Sequence, residues 1–158
     1  MSKTQRTSAT IRPAAVGDSR DLAGLRWTWR ALEVGERGMS EEAFVTAFTA
    51  WYSDHLQDHQ AFLAEVDGRV VGMACLAIFD RVPGPLRFVR LAGLVQSVYV
   101  IPEVRDQGIG RLLVEAVIAE ARDRKLEFLI VHPSERAFPL YRRLGFAVTD
   151  SLLQLQLR

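Results

Sequence analysis

The chain has 158 residues, of which 49% are apolar and 25% charged, a composition typical of one soluble globular domain. Its net charge of +1 argues against binding to bulk nucleic acid, and its single cysteine, Cys75, permits no internal disulfide. The longest apolar run, Val70–Phe79, is about half the ~20 residues that span a bilayer, and the polar N-terminus predicts no signal peptide. We therefore expect a cytoplasmic protein with no nucleic-acid or membrane partner.

The first half of the chain changes from helical to strand periodicity. We predict a disordered tail over residues 1–7 and a single domain over residues 8–158. A short strand at 10–12 precedes a helix from Asp18 to about Val34, and Ser40 is placed to cap a second helix. The dipeptide Asp67-Gly68, between apolar runs at 61–66 and 69–79, predicts a hairpin turn.

The second half predicts an alternation of strands and helices. A strand at 91–101 ends at Pro102, and an amphipathic helix begins near Gly108. A short strand at 128–131 and a helix around 137–144 follow, with final strands at 147–148 and 152–157. The order β-α-α-β-β-β-α-β-α-β-β predicts an α/β fold with a mixed, mostly antiparallel central sheet flanked by helices.

The turn between the 91–101 strand and the following helix contains two glycines, Gly108 and Gly110. Glycines allow a ligand to approach the backbone, and the free N–H groups at a helix start favour an anion such as phosphate. The dinucleotide fingerprint fails because Leu113 stands where its third glycine belongs, and the P-loop fails because no Gly-Lys-Ser/Thr follows. A strand-to-helix turn that binds nothing remains an open alternative.

Two motifs in this half resemble those of the GNAT superfamily of N-acetyltransferases. The first is Val100-Ile101-Pro102 followed by Arg105-x-x-Gly108-x-Gly110. The second is Ser134-x-x-Ala137-x-x-Leu140-Tyr141-x-x-x-Gly145-Phe146. Both occur in the family's order and separation, and the resemblance extends from about Ile11 to Leu157.

The resemblance implies a GNAT-like fold and acetyl-coenzyme A as co-substrate, with no metal. Backbone groups of Val98, Tyr99 and Val100 would pair with the pantetheine arm. Backbone amides of the turn would hold the pyrophosphate; these belong to Arg105, Asp106, Gln107, Gly108, Ile109, Gly110 and Arg111. Ser134 replaces the family's usual asparagine, which puts its cofactor contact in doubt. Pro139 requires that the last helix begin no earlier than about Glu135.

The resemblance also implies a mechanism in which the acceptor amine attacks the thioester directly. The amide of Val98 would stabilise the oxyanion, and Tyr141 would protonate the departing thiolate. The alternative for Tyr141 is a core residue on an apolar helix stripe. Cys75, in an apolar strand without a nearby base in sequence, is expected to be core filler.

The general base is less well defined. Leu94, Gln96 and Val98 share one strand face and include no carboxylate, so water, or Glu33 or Glu36, would take the proton. Solvated helix-end charges are the alternative for both glutamates.

The acceptor is predicted to be a primary amine of a small molecule, bound near Trp27, Glu33, Glu36 and Gln96. Trp29, Trp51 and Tyr52 supply further aromatic surface, although core packing is the default for each. A protein or peptide N-acetyltransferase and a catalytically silent acyl-coenzyme A sensor remain alternatives, and a homodimer is compatible with the sequence. His55 and His59 have a metal-ligand spacing but lie on a polar face, so we expect no metal there.

Overall fold

A computed structural model describes residues 8–158, and five of its strands form one open sheet. The strands follow one another across the sheet in chain order: β1 (Thr10–Pro13), β2 (His59–Val66), β3 (Arg69–Asp80), β4 (Leu91–Val100) and β5 (Leu129–Val131). The first four are antiparallel, and β5 runs parallel to β4. The mixed, mostly antiparallel α/β fold predicted from the sequence is therefore confirmed. The predicted tail at 1–7 lies outside the described residues.

Four α-helices accompany the sheet: α1 (Ser19–Trp27), α2 (Glu41–Asp54), α3 (Ile109–Asp123) and α4 (Phe138–Arg143). The first continues as a π-helical segment at Thr28–Glu33, so the predicted helix to about Val34 is present but changes its hydrogen-bond pattern. Ser40 caps α2 as predicted, since its Oγ accepts from the Ala43 amide at 3.2 Å. Pro139 lies in the first turn of α4, as its missing N–H requires. None of these helices is long and apolar enough to cross a membrane.

The two faces of the sheet are covered by different helices. On β3, a Cβ at Gly72 would lie 3.2 Å from Leu113 of α3, so Gly72 faces that helix. Successive strand residues point to opposite faces. Accordingly, Met73 lies against the side that carries Arg26 of α1 and Tyr52 of α2. One core contains residues from the sheet and from α3. Among its fully buried members are Leu63 and Leu76 of the sheet and Val114 and Val117 of α3.

The local sequence patterns predicted the hairpin turn and the start of the first helix correctly. The β2–β3 turn is Asp67-Gly68, with φ of +50° and +75°, the left-handed values that a tight two-residue hairpin needs. Asp18 occupies the cap position of α1, but its carboxylate accepts no bond from that helix. It accepts instead from the Ala15 amide and pairs with Arg12, each at 2.8 Å.

The two final strands predicted at 147–148 and 152–157 are not formed. Residues 152–158 have no regular secondary structure and pair with no strand of the described chain, and Leu153, Leu155 and Leu157 are 94%, 81% and 83% exposed. The Leu-Gln alternation fixes which side chains share a face, but a strand also needs a neighbour for its backbone hydrogen bonds. β5, the edge strand next to this segment, is only three residues long.

Candidate functional site

Strand β4 is interrupted by a bulge at its middle. Met73 of β3 pairs with Tyr99, whereas Cys75 pairs with Gln96, so two residues of β4 oppose a single residue of β3. One of the two, Ser97, has a left-handed φ of +53°. A non-glycine residue in that region is uncommon and often marks a functional position. The bulge bends β4 just before its last residues.

Beyond the bulge, β4 and β5 separate. The last β4–β5 pair is Val95 with Val131, whereas β4 continues to Val100. The Ile101 amide donates to β3 at Val71, 2.9 Å away, and amides alternate in direction along a strand. The amides of Val98 and Val100 therefore face the open edge. The Val100 carbonyl accepts from Arg105 Nε at 2.9 Å. This open edge is the arrangement that the resemblance required for a pantetheine arm.

The predicted phosphate turn lies directly after β4. Asp106 and Gly108 adopt left-handed φ values of +61° and +82°, and α3 begins at Ile109 with no side-chain cap. The first hydrogen bond of the helix is donated by the Leu112 amide to the Gly108 carbonyl. The amides of residues 109–111 therefore have no helical partners. A Cβ at Gly108 would meet nothing within 4 Å, so the turn is open to solvent. The geometry suits a bound phosphate.

Tyr141 lies on α4 and is 5% exposed. Its ring packs edge-on against Phe146 with centroids 5.3 Å apart, and burial raises the pKa of its hydroxyl to about 12. No hydrogen bond of this hydroxyl is present within residues 8–158. The phenol therefore keeps its proton at neutral pH and has that proton available for a ligand. Ser134 is exposed, and its Oγ accepts from the Ala137 amide at 3.3 Å, a local turn contact.

Glu33 is held by Tyr99, near the end of β4, and by Arg105, in the turn before α3. Its carboxylate accepts from the Tyr99 hydroxyl and from Arg105 Nη2 at 3.0 and 3.1 Å. Partial burial would raise the pKa of Glu33, but these hydrogen bonds and the Arg105 charge lower it overall. Tyr99 in turn has a pKa raised to about 12 by burial and by Glu33. Trp29 stacks on the Tyr99 ring at 5.5 Å. Glu33 is thus a structural partner of the turn.

The four predicted acceptor residues are not brought together. Trp27 and Glu36 line one cavity of about 250 Å³, in which Glu36 pairs with Arg30 and is exposed. The hydrogen bond from Arg30 lowers the Glu36 pKa. Glu33 lies with the turn, and Gln96 lines a different cavity.

That different cavity, which we call the Arg26 cavity, lies beside the bulge on the α1–α2 side of the sheet. It has a volume of about 150 Å³ and includes the bulge residues Gln96 and Ser97 in its wall. Its other walls are aromatic and polar side chains: Arg26, Phe48, Trp51, Tyr52, His59 and Gln60. The sequence identified Trp51 and Tyr52 as aromatic candidates but gave no indication of Arg26 or of the cavity position of His59.

His55 and His59 each make a separate contact through Nδ1. His55 Nδ1 is 2.7 Å from the Trp51 carbonyl and His59 Nδ1 is 2.8 Å from Asp58 Oδ1. Trp51 stacks on His55 and meets His59 edge-on, with centroids 4.5 and 4.8 Å apart. Within residues 8–158 no group of three His, Cys, Asp or Glu could hold a metal ion. His59 is therefore a cavity wall residue with one nitrogen oriented by Asp58.

Comparison with known proteins agrees with this architecture. The model of the acetyltransferase (GNAT) family matches residues 23–146. The chain therefore belongs to the acetyltransferase (GNAT) family. Its fold contains the bulged β4 and the uncapped start of α3 described above.

Individual curated relatives match only part of this chain. Glucosamine 6-phosphate N-acetyltransferase of Trypanosoma brucei brucei is 31% identical over 62% of this chain, and a 5-NmdU N-acetyltransferase of Pseudomonas phage PaMx11 is 30% identical over 58%. The matched stretches span 65% and 59% of those two relatives.

Solved structures show the same fold over nearly the whole chain. A predicted acetyltransferase with acetyl-CoA from Clostridium acetobutylicum has a TM-score of 0.78, at 22% identity over 95% of this chain and 97% of that one. A GCN5-related N-acetyltransferase from Ralstonia eutropha JMP134 has a TM-score of 0.73, at 25% identity over 94% and 99%.

Proposed function

We propose that the protein transfers the acetyl group of acetyl-coenzyme A to a primary amine of a small molecule. The observation that carries this proposal is the open edge of β4 beyond its bulge, which leads directly into the uncapped start of α3. The edge provides backbone partners for an extended arm, and the helix start provides amides for its phosphates. The named acetyltransferase relatives support amine acceptors, and glucosamine 6-phosphate in the first name supports a small molecule.

In this proposal the coenzyme lies along β4 with its pyrophosphate at the Asp106–Arg111 turn. The thioester reaches the bulge, where the Val98 amide donates to its carbonyl oxygen. Backbone donors of this kind need no reorganisation during the reaction and are worth about 3–4 kcal/mol of barrier. Ser97, in its left-handed conformation, sets the direction of that amide.

The neutral amine nitrogen attacks the thioester carbon and forms the C–N bond directly. The C–S bond then breaks, and the thiolate takes a proton from the Tyr141 hydroxyl. The extra proton on nitrogen passes to water, since Glu33 and Glu36 are each bound to an arginine, and the Tyr141 phenolate regains a proton from water. Cys75 does not supply a thiolate nucleophile for an acyl-enzyme at neutral pH, because burial raises the pKa of its thiol to about 12.

The test combines binding with turnover. Calorimetry measures acetyl-coenzyme A affinity, and a thiol reagent measures coenzyme A released in the presence of a library of amines. We expect binding together with amine-dependent thiol release. Binding with no release above background for any amine would instead identify the silent sensor, and release only with peptides would identify a protein N-acetyltransferase.

A further inference from the structure

Arg26 is a half-buried cation on α1. Its Nη1 donates to Ser97 Oγ at 3.1 Å, and its guanidinium lies 5.3 Å from the centroid of the Trp29 ring. The neighbouring Arg30 lies over the same ring at 5.4 Å but pairs with Glu36. Among residues 8–158, no carboxylate forms an ion pair with Arg26, and burial lowers the pKa of its guanidinium.

A desolvated charge of this kind requires compensation. Burial of a guanidinium without an anion is costly, and its planar fork matches a carboxylate or a phosphate. Within the part of the chain that the structure describes, Arg26 makes one hydrogen bond, to the neutral Ser97 hydroxyl. The remaining N–H groups are therefore available to an anion that enters the Arg26 cavity.

Tyr52 contributes its ring to the wall of the Arg26 cavity. It is 2% exposed, and its hydroxyl is buried beside the Ala61 backbone, out of reach of a molecule in the cavity. The recognition of a charged ligand group in this cavity therefore depends on Arg26.

The size of the cavity limits the ligand. At about 150 Å³ it matches an engineered protein cavity that binds benzene, so it accepts a body of about one six-membered ring. Phe48, Trp51 and Tyr52 offer flat apolar surfaces for such a body. The bulge residue Ser97 forms part of the same wall and places the anion site next to the proposed position of the thioester.

We propose that the Arg26 cavity binds an anionic acceptor: a ring-sized amine whose carboxylate or phosphate pairs with Arg26. This inference rests on the proposed function, since the amine must reach the thioester at the bulge. Arg26 contacts Ser97, the residue next to Val98 in the chain, so one small molecule would carry both the amine and the anionic group.

The test uses two pairs of probes that differ mainly in the anionic group. Phenylacetate and phenylacetamide carry a ring and no amine, and glucosamine 6-phosphate is compared with glucosamine. Binding to the coenzyme A-loaded protein is measured by calorimetry for the wild type, Arg26→Gln and Arg30→Gln. Arg30 is the matched control, because it stacks on the same tryptophan but is already paired.

We expect at least one anionic probe to bind the wild type 10-fold or more tightly than its neutral partner. Arg26→Gln should reduce this preference below about 3-fold, and Arg30→Gln should keep it. Preference in the first pair alone assigns a carboxylate, and in the second pair alone a phosphate. Equal binding of both members in each pair, or an undiminished preference in Arg26→Gln, would overturn the inference. Arg26→Lys, which keeps the charge but loses the fork, replaces Arg26→Gln if the latter does not fold.

Thiol release separates this inference from the proposed function. If anions bind through Arg26 but no amine releases thiol from acetyl-coenzyme A, the cavity assignment stands and acetyl transfer fails. If amines release thiol with no dependence on Arg26 or on an anionic group, acetyl transfer stands and the cavity assignment fails.

Discussion

Glu33 and Arg105 form an ion pair, with Arg105 Nη2 3.0 Å from Glu33 Oε2, that ties the end of the first helical segment to the turn before α3. The same carboxylate accepts the Tyr99 hydroxyl, so three elements meet at one side chain. A carboxylate stabilised by two donors is a weaker proton acceptor than a free one. This arrangement separates Glu33 from the role of general base.

The pH dependence of the rate follows from that separation. If water takes the proton, kcat/KM should rise with pH toward the pKa of the acceptor amine itself. Two amines of different pKa should then give displaced curves, and Glu33→Gln should leave each curve in place. Steady-state kinetics between pH 6 and 10 measure both. Coincident curves that lose an inflection in Glu33→Gln, Glu36→Gln or His59→Gln would assign the base to that residue.

The left-handed turn at Gly108 should determine coenzyme affinity. A side chain in that conformation costs about 1–2 kcal/mol, and Gly108→Val would also occupy the open space in front of the α3 amides. We expect acetyl-coenzyme A binding to weaken by 10-fold or more in calorimetry. Gly68→Val is the control, because Gly68 has a similar φ of +75° and open space but lies in the β2–β3 hairpin. Equal affinities in the two variants would contradict the phosphate turn.

Removal of the Tyr141 hydroxyl should slow the chemical step. Tyr141→Phe keeps the edge-on contact with Phe146 and deletes only the proposed proton donor. General acid catalysis contributes about 10²–10⁴-fold, so kcat should fall by that factor with little change in acetyl-coenzyme A affinity. A folded variant with full turnover, in an assay where chemistry limits the rate, would return Tyr141 to a packing role.

Stability at acid pH should depend on Asp18. The hydrogen bond from Arg12 is the main cause that lowers its pKa from 3.8 to about 2. Since the folded value is depressed, the stabilisation is complete above about pH 4–5 and is lost as pH falls toward 2. Arg12 is partly exposed, so we expect about 1 kcal/mol. Urea unfolding of Asp18→Asn should show this loss at pH 6 and only a small part of it at pH 2, whereas Asp21→Asn, with no ion pair in the described chain, should match the wild type throughout.

The C-terminal leucines should promote self-association. Leu153, Leu155 and Leu157 are exposed and alternate with polar residues, so they would share one face of a strand; they have no partner strand among residues 8–158, and unpaired apolar strands tend to pair with other chains. A homodimer formed in this way remains a prediction. Sedimentation should show an association that Leu155→Lys weakens and Gln154→Lys, which places the same charge on the opposite face, does not. Monomers at all concentrations would contradict it.

The sequence predicted those parts of the fold that depend on local signals. Ser40, the Asp67-Gly68 turn and Gly108 each act within a few residues, and each lies at the expected boundary. The prediction of the two final strands was wrong because the alternation of apolar and polar residues specifies which side chains share a face but not which strand is the partner.

In the candidate site too, the features that depend on neighbouring residues were predicted and the long-range contacts were not. The turn at 105–111 and the motif around Tyr141 are contiguous, so their pattern could be recognised. The contacts of Arg26 with Ser97 and of Glu33 with Arg105 join residues 71 and 72 positions apart. Sequence periodicity does not predict such contacts. They arise when the first helical segment packs against β4 and the turn that follows it.

The burial of Cys75 gives the protein an internal reporter. It is the only thiol of the chain, its pKa is raised to about 12 by burial, and it forms part of the Arg26 cavity wall. Because reaction with electrophiles requires the thiolate, Cys75 should react slowly with a thiol reagent near neutral pH. Thiol counted early in an assay therefore comes from the coenzyme. Over longer times, the rate at which Cys75 is labelled should fall when a molecule fills the cavity, so covalent labelling reports occupancy even for compounds that are never acetylated.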